Sequence, residues 1–244
     1  MRSIKLTIAY DGTGYKGWQV QKNGRTVQEE IEKAAERAFG KKIRLHGAGR
    51  TDAGVHAKAQ VAHLKVPESI PVKKIALALN SSLPEDIAVT SAKEVAEDFH
   101  SRYEAKRKHY RYSIFNAKRK DPFNSRFSWR VPYMLDLKLI KKEAQVLVGK
   151  HDFKSFQAAE KKERTSVRKI FYVDIKKKGS RITIDIEGDG FLYNMVRNIV
   201  GTLIEIGRGY LPQGSMKKIL KGKNRKLAGP TAPAKGLTLI EVKY

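Results

Sequence analysis

The chain has 244 residues and carries 50 Lys+Arg against 25 Asp+Glu, a formal net charge of +25. Its 41% hydrophobic content excludes wholesale disorder, and its length suits one large domain or two small ones. The lack of cysteine excludes disulfides, thiol nucleophiles, iron–sulfur clusters and Cys-ligated zinc, and the positive excess points to a polyanion as partner.

In chain order, Ile4–Tyr10 alternates apolar and polar residues with the period of a half-buried strand. After a Gly-rich turn, Thr26-Val-Gln-Glu29 reads as a capping box opening a helix to Phe39, with Val27, Ile31, Ala34, Ala35 and Ala38 at helical spacing. Ile43–His46 and Ala57–Val66 read as strands flanking the loop Gly47–His56, Val72–Leu79 as a helix and Ala88–Val95 as a further strand. From about Lys106 the pattern recurs. His109–Phe115 reads as a strand with Tyr110, Tyr112 and Ile114 on one face, and Leu135–Val148 as a helix ended by Gly149. Ile170–Lys176 and Arg181–Glu187 form a hairpin; helices follow over Leu192–Ile206 and Ser215–Lys221, with a last strand at Leu237–Lys243. Strand–helix–strand–strand–helix–strand thus occurs about twice. The expected class is α+β: two ferredoxin-like halves, 1–105 and 106–244, in one mainly antiparallel sheet with helices on one side and a central cleft.

No purely apolar run exceeds about five residues, far short of the ~20 that span a membrane, and the N-terminus shows no cleavable signal. The basic residues are spread along the chain rather than gathered on one amphipathic helix, which favours nucleic acid over a membrane surface and a cytoplasmic location.

Gly12-Thr-Gly14-Tyr-Lys-Gly17 matches the dinucleotide fingerprint, yet the next helix waits until Thr26, so no pyrophosphate would meet a helix N-terminus. The six histidines are dispersed without ligand-like spacing. Asp185, Glu187 and Asp189 alternate on one strand; a solvated outer face of the sheet is expected there rather than a divalent-ion site. Lys106–Lys108, Lys118–Lys120, Lys161–Arg164 and Lys217–Lys226 are basic clusters suited to a polyanion track. Gly47-Ala-Gly-Arg50-Thr-Asp52-Ala-Gly54-Val-His56 is the most unusual stretch, with three glycines bracketing an Arg and an Asp. On the Leu192–Ile206 helix, Arg197 falls at the edge of the apolar arc, with Asn194, Asn198 and Glu205 on the far side; a half-sunk guanidinium calls for an acidic partner.

These segments also resemble the tRNA pseudouridine synthase A family. The resemblance is carried by Asp11-Gly-Thr-x-Tyr-x-Gly-Trp18-Gln, the Asp52 loop, Phe99-His-Ser-Arg-Tyr103, Tyr110-Arg-Tyr112, His151-Asp-Phe-x-Ser-Phe156, Met195-Val-Arg197-Asn-Ile-Val-Gly201 and Gly236-Leu237. It implies a homodimer that converts uridine to pseudouridine at positions 38, 39 and 40 of the tRNA anticodon stem-loop. It implies Asp52 as nucleophile, Arg197 as its basic partner, Tyr110 against the target base and Leu237 lining the base pocket. It further implies tRNA contacts from Phe99, His100, Ser101, Arg102 and Tyr103, and from Glu160, Lys161, Lys162, Glu163 and Arg164.

An isomerisation needs neither redox change nor donor, so no cofactor and no metal are expected. A carboxylate is ionised at neutral pH without help, and a nearby guanidinium opposes the rise in pKa that burial imposes. Attack at ribose C1′, removal of the 2′ proton and addition at uracil C6 all stay open. The spacing of Arg50 beside Asp52 suits a phosphate contact holding a flipped nucleotide out of the stem. The rival class is a non-catalytic RNA-binding or ribosome-assembly protein on a ferredoxin-like scaffold; an acidic residue facing RNA hinders simple binding and makes sense as chemistry.

Overall fold

The computed structural model describes residues 1–159 and 165–244. Its Cα packing divides the chain into two compact units, one of Met1–Lys106 with Thr238–Tyr244 and one of Arg107–Leu237. The described residues form an α+β fold of ten strands and five α-helices, with mainly antiparallel pairing.

In the first unit the alternating segment forms β1 (Arg2–Tyr10), which buries Ile4, Leu6, Ile8 and Tyr10. Helix α1 (Val27–Phe39) begins where the capping box places it: the Thr26 side chain accepts from Glu29 N, and Gly40 closes the helix at φ +70°. The next strand is shorter than its apolar pattern predicts. Ile43 and Leu45 are buried, but β2 covers only His46–Gly47. Side chains of α1 take the backbone groups that a strand would use: Leu45 N donates to Glu32 Oε1 (2.9 Å) and Gln28 Nε2 donates to Leu45 O (3.1 Å). Strand β3 (His56–Val66), helix α2 (Val72–Asn80) and β4 (Ile87–Val95) follow as expected. The strand order is β4-β1-β3, and β2 also pairs with β3, placing His46 opposite His63.

The second unit opens with β5 (Arg107–Asn116), burying Tyr110, Tyr112 and Ile114 along one face. A short β6 (Trp129–Val131), not foreseen in the sequence, pairs with β5 in parallel. Helix α3 runs only over Leu137–Gln145, because Asp136 caps it by accepting from Leu139 N (2.9 Å) and its last turn tightens to i→i−3 bonds at Val146, Leu147 and Val148. Gly149 does not end the helix; it opens β7 (Gly149–Asp152) at φ +111°. Strands β8 (Val167–Lys178) and β9 (Arg181–Gly188) join through Gly179 and Ser180, the glycine at φ +57°, and the order is β5-β9-β8-β7.

Helix α4 starts at Met195, three residues later than the apolar arc suggests, because Asn194 sits in the left-handed region at φ +59°, and it ends at Gly207, one residue beyond the arc. Its supposed polar side is interior: Asn198 is fully buried and Glu205 nearly so. Helix α5 (Ser215–Gly222) begins against the buried Glu143, whose carboxylate accepts from Gly214 N (2.7 Å) and Met216 N (3.0 Å). The last strand, β10 (Leu237–Lys243), pairs in parallel with β3 through Thr238↔His56 and Leu239↔Ala57 in the first unit.

Candidate active site

The Gly47–His56 loop joins β2 to β3 and is clamped from outside by the Gly-rich turn after β1. Trp18 N donates to Thr51 O (3.1 Å), Gly54 N to Tyr15 O (3.3 Å), and the buried Thr51 hydroxyl pairs with Tyr10 OH at 2.8 Å. His56 Nδ1 lies 3.1 Å from Gly12 N and 3.0 Å from Asp11 Oδ1, so the ring accepts from the amide or donates to the carboxylate according to its protonation. The glycines of the turn are there for contact. A Cβ on Gly12 would stand 2.0 Å from Val55 O, and one on Gly17, at φ +95°, 2.7 Å from Thr51 O. The dinucleotide-like spacing therefore serves to press two backbones together. Inside the loop, Asp52 O accepts from Val55 N (3.1 Å) and Gly49 O from Gln60 Nε2 (3.1 Å). The result is a short, pinned loop with Asp52 half-buried and Arg50 exposed.

In the second unit, Arg197 sits on the first turn of α4 as that helix's one described residue that is not buried. Its Nε donates to Ala232 O (2.8 Å), its guanidinium also holds Asn194 Oδ1 (2.9 Å), and its carbonyl accepts from Ala232 N (3.2 Å). The segment that receives Arg197 is itself fastened to α4. Asn198 donates to Phe156 O (2.7 Å) and accepts from Arg225 (3.0 Å) and Thr231 Oγ1 (2.7 Å), and a Cβ on Gly201 would fall 1.7 Å from Pro230 O. The same segment ends at the buried Leu237, after Tyr112 OH donates to Pro233 O (2.7 Å) and the Tyr112 ring fills the space where Gly236 would carry a side chain. Burial pushes the Tyr112 hydroxyl pKa up, opposed in part by the Arg197 charge. Tyr110, two residues before it on the same face, is buried with its ring edge-to-face with Phe191 at 5.1 Å.

Phe99–Tyr103 belongs to the first unit and leads into a cluster of rings. Ser101 donates its Oγ to His46 O (2.7 Å) and its N to His63 Nδ1 (3.2 Å); His46 and His63 stack at 5.1 Å, and His100 lies 4.2 Å from the exposed Tyr103. Three of the histidines that look scattered in the sequence thus gather in space. Glu160, Lys161, Lys162, Glu163 and Arg164 lie outside the described residues.

Asp185 and Glu187 correct an expectation. They are buried, because β9 is flanked by β5 and β8, and they pair with basic side chains on the neighbouring strand. Asp185 Oδ1 meets His109 Nε2 (2.6 Å) and Arg111 Nε (2.9 Å), and Glu187 meets Arg107 (3.2 Å). Asp189 is exposed and accepts from Lys169 N (3.0 Å). Among the described residues no group of three or more His, Cys, Asp or Glu is placed to hold a metal ion, and no helix is long and apolar enough to cross a membrane.

A family profile described as tRNA pseudouridine synthase matches residues 6–104 and 144–244. The chain is 46% identical to the tRNA pseudouridine synthase A of Thermoanaerobacter sp. (strain X514), over the whole of both chains. It is 45% identical to that of Geotalea daltonii over the whole of both, and 46% identical to that of Syntrophotalea carbinolica over all of this chain and 97% of the other. Among solved structures, a chain of a Cbf5–Nop10–Gar1 complex matches at 10% identity and a TM-score of 0.37, covering 96% of this chain and 57% of that one, a likeness too loose to carry an argument. The profile match and the full-length relatives agree with the motifs on the pinned loop and on α4: the chain belongs to the tRNA pseudouridine synthase family, a family of isomerases.

Proposed function

We propose that this enzyme converts uridine to pseudouridine at positions 38, 39 and 40 of the tRNA anticodon stem-loop, as a cytoplasmic homodimer, with Asp52 as nucleophile. The observation that carries the reading is the pinned loop: its backbone is held by Trp18, Tyr15 and Gln60, which fixes the main chain from which Asp52 projects. Fixed placement of a reacting group lowers a barrier by removing the entropy of bringing the partners together.

In the reaction the N1–C1′ bond breaks, the uracil turns, and C5 bonds to C1′; the C5 proton leaves and N1 ends protonated. Atoms balance without donor or oxidant. Arg197 is the guanidinium that keeps Asp52 ionised once a base covers it, since desolvation alone would raise the carboxyl pKa. Its own anchoring to Ala232 and Asn194 supports that role, because an arginine tied by its Nε has few rotamers left.

A uridine in a stem must be flipped, at a few kcal/mol, and stacking on Tyr110 returns about 1–3 kcal/mol. Leu237 lines the base pocket, and Arg50 holds the phosphate beside the flipped nucleotide. Phe99–Tyr103 contacts the tRNA, and so do residues 160–164, as the family resemblance implies. Recognition then rests on shape and backbone charge, because the deep groove of an A-form stem hides its base edges.

The test is carbodiimide mapping of unmodified tRNA after incubation with the purified protein alone. Modification confined to positions 38–40 is expected. Unmodified uridines there, in tRNA that the protein binds, would favour the non-catalytic RNA-binding reading.

A further inference from the structure

Within the first unit, at the β2 end where the pinned loop begins, lies a concavity of about 330 Å³ lined by Met1, Lys41, Lys42, Ile43, Arg44, His46, His63 and Lys65. Its lining is mostly apolar surface from Met1, Ile43 and the long basic side chains, four of its eight lining residues are Lys or Arg, and none is a carboxylate. Lys41, Lys42, Arg44 and Lys65 are all exposed, and Lys65 has an acidic neighbour, Glu97, at 3.2 Å on an open surface. Such an exposed pair contributes little and is readily exchanged for a better anion.

The lining includes the stacked His46–His63 pair, fixed by Ser101 from the Phe99–Tyr103 segment. The ring stack continues through His100 to the exposed Tyr103, so the groove and that segment form one surface: cations on one side, an aromatic platform on the other. That combination suits a single-stranded or distorted stretch of nucleic-acid backbone.

We propose that this groove is a second, backbone-phosphate site for the tRNA, with Lys41, Lys42, Arg44 and Lys65 as its phosphate ligands. The inference rests on tRNA being the substrate and deepens it by adding a docking site remote from the reacting base. Along β3, His63 stands seven residues from His56, the end of the Asp52 loop; at ~3.3 Å per residue that is roughly 20 Å. The site therefore holds the RNA by a part other than the flipped nucleotide. The two histidines offer ring nitrogens without adding positive charge: burial lowers both pKa values, helped at His46 by Arg44 and at His63, which falls to about 4, by His46, His100 and Lys65. The salt dependence of the site accordingly belongs to the four long cations.

The test is equilibrium binding of full-length tRNA across a salt series. The variants are the intact chain carrying Lys41→Gln, Lys42→Gln, Arg44→Gln and Lys65→Gln together, and a control with Lys138→Gln, Lys141→Gln, Lys177→Gln and Lys178→Gln, which loses the same charge elsewhere. Each phosphate contact contributes about 0.7–0.9 to the slope of log K against log salt, so the groove variant should lose about 3 in slope and at least tenfold in affinity at moderate salt. The control should keep its slope and stay within about threefold. Equal losses in the two variants, or an unchanged slope in the groove variant, would overturn the proposal. Those results leave the reading of the reaction intact, which fails instead if the wild-type chain binds tRNA and forms no pseudouridine in it.

Discussion

Gly17→Ala tests the idea that the Gly-rich turn sets the position of the Asp52 loop. At φ +95° an L-residue carries about 1–2 kcal/mol of backbone strain, and its Cβ would lie 2.7 Å from Thr51 O, 3.2 Å from Ala53 N and 3.2 Å from the Asp52 carbonyl carbon. Relief to an ordinary contact of 3.4 Å requires the loop backbone to retreat by 3.4 − 2.7 = 0.7 Å. Displacements approaching 1 Å at a reacting group lower rates up to about 100-fold, so a 10- to 100-fold fall in single-turnover rate is expected. Strain and crowding together destabilise by about 3 kcal/mol, or roughly 6–12 °C in Tm at this chain length. Gly40→Ala is the matched control: its φ is +70°, but nothing lies within 4 Å of the added Cβ, so it should lower Tm by a few degrees and leave the rate unchanged. The assay is tritium release from tRNA carrying [5-³H]uridine, well below either Tm, with tRNA affinity measured in parallel and expected within about threefold. A Gly17→Ala enzyme with the full rate, or a Gly40→Ala enzyme equally slowed, would refute the reasoning.

Asn198→Leu removes the partner of Phe156 O, Arg225 and Thr231 Oγ1 in a fully buried place, and should destabilise by about 3 kcal/mol, lowering Tm by roughly 6–12 °C in calorimetry; a shift under 2 °C would contradict the fastening of that segment to α4 through Asn198. His63 has its pKa pulled from 6.5 to about 4, chiefly by burial and then by His46, His100 and Lys65. Below about pH 6.5 the unfolded chain takes up a proton that the folded chain refuses, so this residue makes stability fall as pH drops from about 6.5 to about 4 and adds no further slope below that. His63→Asn, whose amide oxygen can accept from Ser101 N as Nδ1 does at 3.2 Å, should flatten Tm against pH between about pH 7 and pH 5; an unchanged slope would sink the assignment.

What was legible in the sequence was local. The alternation of β1, the Thr26 capping box and the apolar face of β5 each report on a single element, and each element forms. The three-glycine loop around Asp52 was also visible, because close backbone approach restricts residue type. What misled depends on neighbours that are distant in sequence. Leu45 looks like strand until the side chains of Gln28 and Glu32 claim its backbone groups. Asp185 and Glu187 look solvated until strands close on both sides of β9 and bring Arg107, His109 and Arg111 against them. Asn198 and Glu205 look outward until the 228–233 segment and α3 cover α4. The Gly12–Gly17 spacing resembles a nucleotide loop, since it meets the same demand for bare backbone; here the approaching group is the chain itself, at Val55 and Thr51.

The reading of the reaction stands on the Asp52 carboxylate, and Asp52→Asn removes its charge at nearly constant shape. Single-turnover tritium release from [5-³H]uridine tRNA, with the variant saturating and its tRNA affinity measured in the same buffer, tests that claim most directly. The account predicts no release and no pseudouridine above background, with affinity within about threefold of the wild-type chain. An Asp52→Asn enzyme that still converts uridine at a rate near wild type would contradict it.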